Sequence, residues 1–298
     1  MIYQTTCMDL IQRLCRTVLN DWKSGAVTTG TTTLLYDTVR RDEPDDYFQC
    51  TSPVSYAYIL TTTDNNAPRG EDRKASDFAN TGSILTVTPA FSATLNTGDT
   101  YTIIHLKRWA DLKEYINMAL DLIKSEVLIH TVDENSITIQ SNVNEYPIPA
   151  NFTHIYKVTQ EDSNGNFYGA PIPSSHYSII KSSIPLLHFN QAPESLAVAE
   201  HYYGNLWFDA SSISDRHLRL EGLMAQPKLE SDTDICYINP DWVVAQAGAF
   251  IHASLARRSD NEPDDHATQF KIWQTIADDI RVGRGFSTLY PPDIKRVR

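Results

Sequence analysis

The chain has 298 residues, 41% hydrophobic and 21% charged, which is the composition of an ordinary globular protein. Its net charge of −12 disfavours a protein that grips nucleic acid or anionic membranes, because both tasks need basic surfaces. The N-terminal residues lack the pattern of a signal peptide, and no stretch has the apolar length of a membrane span. Four scattered cysteines are typical of reduced intracellular thiols rather than a disulfide framework.

The N-terminal half contains two segments with helical periodicity. Apolar residues recur at helical spacing over about 7–22, and Thr6 followed by Asp9 resembles a capping box. The second segment, "ADLKEYINMALDLIKSEV", carries one apolar stripe, and Asp111 is its expected N-cap.

Two further helices are predicted near the C-terminus. "NPDWVVAQAGAFIHASLARR" begins with Asn239 as a cap and Pro240 at the first helical position. Its middle is rich in Ala and Gly, which let a neighbouring helix approach closely. The next segment has apolar residues and a histidine at alternating spacings of four and three, which predicts a seam that packs on another helix. Residues expected at helix packing or an oligomer interface are Ala247, Phe250, Phe270 and Trp273.

The remaining segments indicate β-structure. Residues 24–106 are rich in Thr, Gly, Asn and Asp with short strand-like runs, which predicts a small inserted β-module. Residues 128–237 form a second β-rich region, and 284–298 an extended tail. The predicted fold class is α+β: a bundle of about four main helices with these β-segments. The helical body comprises 1–23, 107–127 and 238–283.

The tetrapeptide Glu-Pro-Asp-Asp occurs twice, at 43–46 and 262–265. Three carboxylates in four residues could bind a metal or transfer protons. A calcium loop, however, needs oxygen ligands at alternate positions and a Gly, which neither copy supplies. The pattern favours a turn into a strand for the first copy and the start of a helix for the second.

Sequence motifs of catalysis or cofactor binding are absent. No two of the nine histidines have zinc-site spacing, and there is no Cys-x-x-Cys, Gly-x-Ser-x-Gly, Walker or Gly-x-Gly-x-x-Gly motif. We therefore predict no metal, no cofactor and no enzyme, with a hydrolase using an unrecognised Asp/Glu pair as a weak alternative. The aromatic run "EHYYGNLWFDA" has the composition of a sugar-binding surface or a protein interface, with Tyr202, Tyr203 and Trp207 as the contacts.

Taken in order, several segments resemble the head–tail connector adaptors of tailed bacteriophages. The first is a helix followed by "GAVTTGTTTLLYDTVRRDEPDDYF" and "LTVTPAFSATLNTGDTYTII". "WADLKEYINMALDLI" and "EYPIPANFTHIYKV" come next. The last is "LRLEGLMAQPKLESDTDICYINPDWVVAQAGAFIHASLARR", which is similar to the adaptors' strand, acidic loop and Ala-rich helix.

The resemblance implies a structural protein of the virion neck, assembled in the host cytoplasm. It implies a ring, commonly of twelve copies, between the portal protein and a tail terminator, stopper or other neck protein. DNA would pass through the lumen without specific binding, and an acidic chain suits such passage. A C-terminal segment would dock on the portal through Tyr290, Lys295, Arg296 and Arg298. The alternative is a tail or baseplate protein whose β-modules bind host glycans.

Overall fold

The chain forms two compact units, each with its own core. The computed structural model describes residues 3–40, 43–48, 54–65, 67–105, 107–140, 142–162, 164–191, 215–256, 263–283 and 295–296. Unit 1 comprises Met1–Leu122 and Lys228–Gly285, and unit 2 comprises Ile123–Pro227 and Phe286–Arg298.

Unit 1 begins with a capped helix that changes its pitch. Strand β1 (Thr5–Thr6) leads into helix α1 (Cys7–Arg13). The hydroxyl of Thr6 accepts the Asp9 backbone N–H at 3.1 Å and donates to the Asp9 carboxylate at 2.8 Å, which confirms the predicted cap. The chain then continues as a π-helical segment (Leu14–Leu19), which ends at Asn20 with φ of 50°. The helix is therefore shorter than the predicted 7–22.

A seven-stranded antiparallel sheet follows in unit 1. Its strand order is β2-β8-β5-β6-β7-β4-β3. One face buries a core that includes Phe48, Phe78 and Tyr101. The strands are β2 (Lys23–Ala26), β3 (Thr29–Gly30), β4 (Leu34–Tyr36), β5 (Tyr56–Thr61), β6 (Asp72–Ala79), β7 (Ile84–Thr88) and β8 (Thr100–Ile104), with a 3₁₀ turn at Thr38–Arg40.

Helix α2 (Trp109–Ile123) leads to unit 2, which consists of antiparallel strands. Asp111 lies in the first turn of α2 rather than at the N-cap, and it accepts the Arg108 N–H at 3.3 Å. The strands of unit 2 are β9 (Leu128–Thr138), β10 (Glu145–Pro147), β11 (His154–Gln160), β12 (Tyr177–Ile180), β13 (Leu186–Phe189) and β14 (His217–Ala225). They form one sheet with β14 between β11 and β9, and another with β13 between β10 and β12.

The chain returns to unit 1 through β15 (Ile235–Cys236), which pairs with β1. Helices α3 (Pro240–Leu255) and α4 (Pro263–Gly283) follow. Asn239 accepts the Asp241 N–H at 3.0 Å, which confirms the cap predicted for α3. Lys295–Arg296 then form strand β16, which pairs with β11 at the edge of a unit 2 sheet.

The predicted helical bundle with a small β-insert is wrong. Helix accounts for 28% and strand for 31% of the residues that the structure describes. In the described ranges there are four α-helices and four sheets. The β-structure was underestimated because seven short strands, separate in the sequence, pair into one large sheet. In β7, for example, Leu85 and Val87 are buried while the intervening threonine is not, which is typical of a strand, but no local pattern shows that β7 pairs with β4 and β6.

The first Glu-Pro-Asp-Asp copy forms a turn, as expected, but no strand follows directly. Asp45 accepts the Asn80 N–H at 2.6 Å, and Asp46 has φ of 59°. Tyr47 and Phe48 continue the turn, and the next residues lie outside the described part of the chain.

The second copy opens a helix, as predicted. Pro263 is the first residue of α4, and Asp264 and Asp265 lie in its first turn. Negatively charged side chains interact favourably with the helix dipole at this end. Glu262 lies outside the described residues. Within the described ranges, no helix is both long and apolar enough to cross a membrane.

Candidate functional site

Helix α3 is the centre of the helical part of unit 1. Nearly all of its side chains are buried, and it contacts α1, the π-helical segment and α4. A Cβ placed on Gly248 would lie 2.5 Å from a methyl group of Val18, so the small residue permits the close approach of the π-helical segment. Ala247 is fully buried and is therefore a packing residue within unit 1.

One apolar groove lies beside α3 and α4. This groove, which we call the Trp273 groove, has a volume of about 380 Å³ and is lined by Val244, Ala245, Trp273, Ile276 and Ile280. The ion pair of Arg13 with Asp241, 3.5 Å apart, adds charges to the lining.

Helix α4 also presents apolar side chains to solvent. Ile272 is 45% exposed and Ile276 is 36% exposed. They are four residues apart and therefore share one face of the helix, which we call the Ile272 ridge. Because Ile276 also lines the Trp273 groove, the ridge continues into the groove.

A second groove lies between α2 and α3. It has a volume of about 410 Å³, and its lining includes Tyr115, Met118, Phe250 and Ser254. Met118 is 45% exposed. Of the predicted interface residues, Phe250 and Trp273 therefore line different grooves, whereas Phe270 is half-buried on α4 and lines neither.

Polar side chains fix the pairing of α3 with α4. The amides of Gln246 and Gln274 are 3.2 Å apart, and the Nδ1 atoms of His252 and His266 are 3.1 Å apart. Burial and the neighbouring His266 lower the pKa of His252 below its ordinary value. Since two charged imidazoles cannot share a hydrogen bond, this contact requires that at least one ring is neutral.

Lys107, Ser254 and Tyr115 form the arrangement most similar to a catalytic centre. The buried Lys107 ammonium donates to Ser254 Oγ at 3.0 Å and to Tyr115 Oη at 3.3 Å. Ser254 in turn donates to the Ile251 carbonyl at 2.7 Å. A serine nucleophile must donate its proton to a neutral lysine. Here the Ser254 hydroxyl donates to a backbone carbonyl and accepts a hydrogen bond from Lys107. The geometry therefore favours hydrogen-bonding of a buried cation over nucleophilic catalysis.

Asp232 joins three elements of unit 1 and was not identified from the sequence. It accepts the indole N–H of Trp109 at 3.0 Å, pairs with Lys113 at 2.9 Å and accepts the hydroxyl of Tyr58. Burial acts to raise the pKa of Asp232, but these hydrogen bonds hold it below its ordinary value. The Tyr58 and Trp109 rings stack with centroids 3.9 Å apart.

The acidic loop that carries Asp232 is attached to helix α2 by a second contact. The side-chain amide of Asn117 donates to the Leu229 carbonyl at 3.0 Å and accepts the Leu229 N–H at 2.9 Å. In the sequence this loop is recognisable only as the acidic run "LESDTD", which does not indicate the partners of Asp232 or Leu229.

Several predicted site residues lie outside the described residues. Tyr290 and Arg298 of the predicted portal contact do so, and so do all three residues of the alternative glycan surface, Tyr202, Tyr203 and Trp207. The backbone of Lys295 and Arg296 forms β16.

The described residues offer no metal centre and few reactive groups. No group of three or more His, Cys, Asp and Glu side chains in these ranges is placed to hold a metal ion. Cys7, Cys15 and Cys236 are buried free thiols, and burial raises the pKa of Cys7 to about 12 and that of Cys236 to about 11. Such thiols remain protonated near neutral pH and are poor nucleophiles.

No family model matches the chain, and no curated protein matches it significantly. The function proposed below therefore rests on the motifs of the sequence and on the helix surfaces just described.

Proposed function

We propose that the protein is a non-enzymatic structural protein of a tailed-bacteriophage virion. It is a head–tail adaptor that forms a homo-oligomeric ring between the portal and the tail. The order of its sequence segments supports this proposal, because the β-module, acidic loop and Ala-rich helix follow one another as in such adaptors. The observation that carries it is the exposed apolar surface of the α3–α4 pair, where the Ile272 ridge continues into the Trp273 groove.

The ridge and the groove suit contacts between identical copies. Ile276 belongs to both, so they form one continuous apolar surface that a second copy of the chain can cover. Where each copy covers part of the next and the rotation closes, the product is a ring. Isoleucine side chains of the ridge complement the apolar lining of Val244, Ala245 and Trp273 in size and polarity. A net charge of −12 keeps the inner wall of such a ring from gripping DNA.

The oligomer is tested by the mass of the purified protein, measured by native mass spectrometry and light scattering. We expect a ring of many copies for the wild type. Ile272→Glu and Ile276→Glu should each reduce the ring to smaller species, because a buried carboxylate at the contact is strongly unfavourable. Lys271→Gln, at a neighbouring exposed position of α4, changes the charge equally and should leave the ring intact.

Location in the particle separates the adaptor from the alternatives. Cryo-electron microscopy of the virion should place the density of this protein between the portal and the tail. A monomer or trimer at the tail tip would contradict the adaptor function. Glycan binding that is abolished by Trp207→Ala would favour the tail or baseplate protein instead.

A further inference from the structure

Unit 1 contains a polar recess that the proposed function does not use. It has a volume of about 550 Å³, within the range of small-ligand sites. It lies where the π-helical segment is followed by β2. We call it the cationic recess, and its main side chains are Arg16, Trp22, Lys23, Tyr47 and His105.

The backbone of the π-helical segment brings these side chains together. The segment ends at Asn20 in the left-handed conformation, and the Asp21 N–H donates to the Cys15 carbonyl at 2.9 Å. Trp22 and Lys23 therefore leave the helix beside Arg16, which lies in its last turn. Short π-helical turns occur frequently at functional sites, where they redirect side chains.

Aromatic rings lie beside the arginine and the lysine of the recess. The Arg16 guanidinium lies 5.4 Å from the centre of the Trp22 ring, and the Lys23 ammonium lies 5.6 Å from the centre of the Tyr47 ring. Such contacts hold long cationic side chains in place. Lys23 also lies 3.8 Å from Glu43, a half-buried carboxylate, and this separation is long for an ion pair, so that a ligand can compete with it.

The carboxylate of the recess is engaged by the histidine. Among the described residues of the lining, Asp21 is the only acidic one, and it is 8% exposed. One of its oxygens accepts the His105 backbone N–H at 2.7 Å, and the other lies 2.8 Å from His105 Nδ1. Asp21 therefore fixes the orientation of the imidazole. The lining carries Arg16 and Lys23 against this single carboxylate, in a chain whose net charge is −12.

We propose that the cationic recess binds an oxyanion, either a carboxylate or a phosphate group. Guanidinium and ammonium donors beside an oriented imidazole match the oxygens of such a group. The rings of Trp22 and Tyr47 contact the carbon skeleton that bears it. The group belongs to a small phosphorylated or carboxylated molecule or to the acidic side chains of a peptide.

The experiment measures binding by calorimetry and by NMR shifts of the full-length protein in low-salt buffer near neutral pH. One arm uses inorganic phosphate and the other acetyl-Asp-Asp amide. Binding of either probe with shifts at His105 and Trp22 supports the site, and the tighter probe identifies the source of the oxyanion. Arg16→Gln and Lys23→Gln should each lower the affinity about tenfold, because each removes one charge-assisted contact.

Lys74→Gln serves as the matched control, since Lys74 is exposed on β6 and does not line the recess. It should leave the affinity unchanged, and the melting temperature of every variant should show that unit 1 remains folded. The proposal is overturned if neither probe binds, or if Lys74→Gln weakens binding as much as Arg16→Gln. Because Arg16 is exposed and Lys23 is only half-buried, neither glutamine variant removes core packing.

Discussion

Position 25, at the start of the predicted β-module, has no room for a side chain. A Cβ at this position would lie 2.7 Å from Tyr101 Oη and would overlap the Asp37 carboxylate. These groups are fixed, because Tyr101 donates to Asp37 at 2.7 Å and accepts from Arg40 Nε at 2.7 Å. The network is buried, so a side chain at Gly25 cannot displace it into water.

We therefore expect Gly25→Ala to lower the free energy of unfolding of unit 1 by about 1–3 kcal/mol, as overpacking does in other cores. Chemical denaturation measures the change. Gly283→Ala is the control, because nothing lies within 4 Å of a Cβ there and alanine favours helix. An equal loss of stability in both variants would show that Tyr101 and Asp37 do not restrict position 25.

Asp232 is a second residue whose importance follows from its partners. Asp232→Ala removes the acceptor of the Trp109 indole N–H and the carboxylate paired with Lys113, whose ammonium then keeps only the Glu230 carbonyl among these contacts. We expect a loss of about 2 kcal/mol in the free energy of unfolding, the usual range when half-buried donors lose an acceptor. Asp121→Ala, an exposed carboxylate of α2, should change it by less than about 0.5 kcal/mol. Comparable losses in the two variants would contradict the role assigned to Asp232.

At the scale of elements, local signals predicted the helices better than the sheets. Thr6 and Asn239 were identified as caps because a cap acts through its own backbone neighbours. The π-helical segment was not predicted, since its apolar residues also fit the spacing of an α-helix. The Ala-rich stretch of α3 correctly indicated close helix packing, with Gly248 against Val18.

The contact between α3 and α4 should depend on pH. The pKa of His252 is lowered in the folded protein, so the stability from this group is fully present above its unfolded value of about 6.5. It is lost as the pH falls through the folded pKa, because His252 then acquires a charge beside His266. The charged groups that face it are His266 and Asp265 on α4, and Asp265 opposes the loss only in part.

We expect hydrogen exchange in α4 to accelerate at pH 5 relative to pH 8, after correction for intrinsic rates. His252→Gln should reduce this pH dependence, whereas His130→Gln in unit 2 should not alter it. Equal protection of α4 at both pH values in the wild type would contradict a titrating contact.

At the scale of the whole molecule, residues of the predicted helical body and of the predicted β-module belong to one compact unit. Both lie in unit 1, where Asp232 connects the loop after unit 2 with Tyr58 of β5 and Trp109 of α2. Such contacts join residues more than 100 positions apart, and no local sequence pattern predicts them. The sequence could not show that Ala247 faces the core, because a small residue on a helix carries the same signal whether it faces a partner or the core.

Because the two units have separate cores, we expect a core mutation in one unit to destabilise that unit alone. Phe152 is fully buried in the core of unit 2. Phe152→Ala should lower the stability of this unit by about 3–5 kcal/mol. Hydrogen exchange should then accelerate in β9, β11 and β14 while the seven-stranded sheet of unit 1 keeps its protection. Equal acceleration in both units would show that they unfold as one.

The pairing of β1 with β15 has a consequence for the order of events on the ribosome. Thr5 pairs with Cys236, and all of Ile123–Pro227 is synthesised between these two positions. Because the chain emerges from its N-terminus, Leu10 and Ile11 of α1 leave the exit tunnel long before α3 exists to cover them. The apolar face of the first helix therefore stays uncovered until its partner has been synthesised.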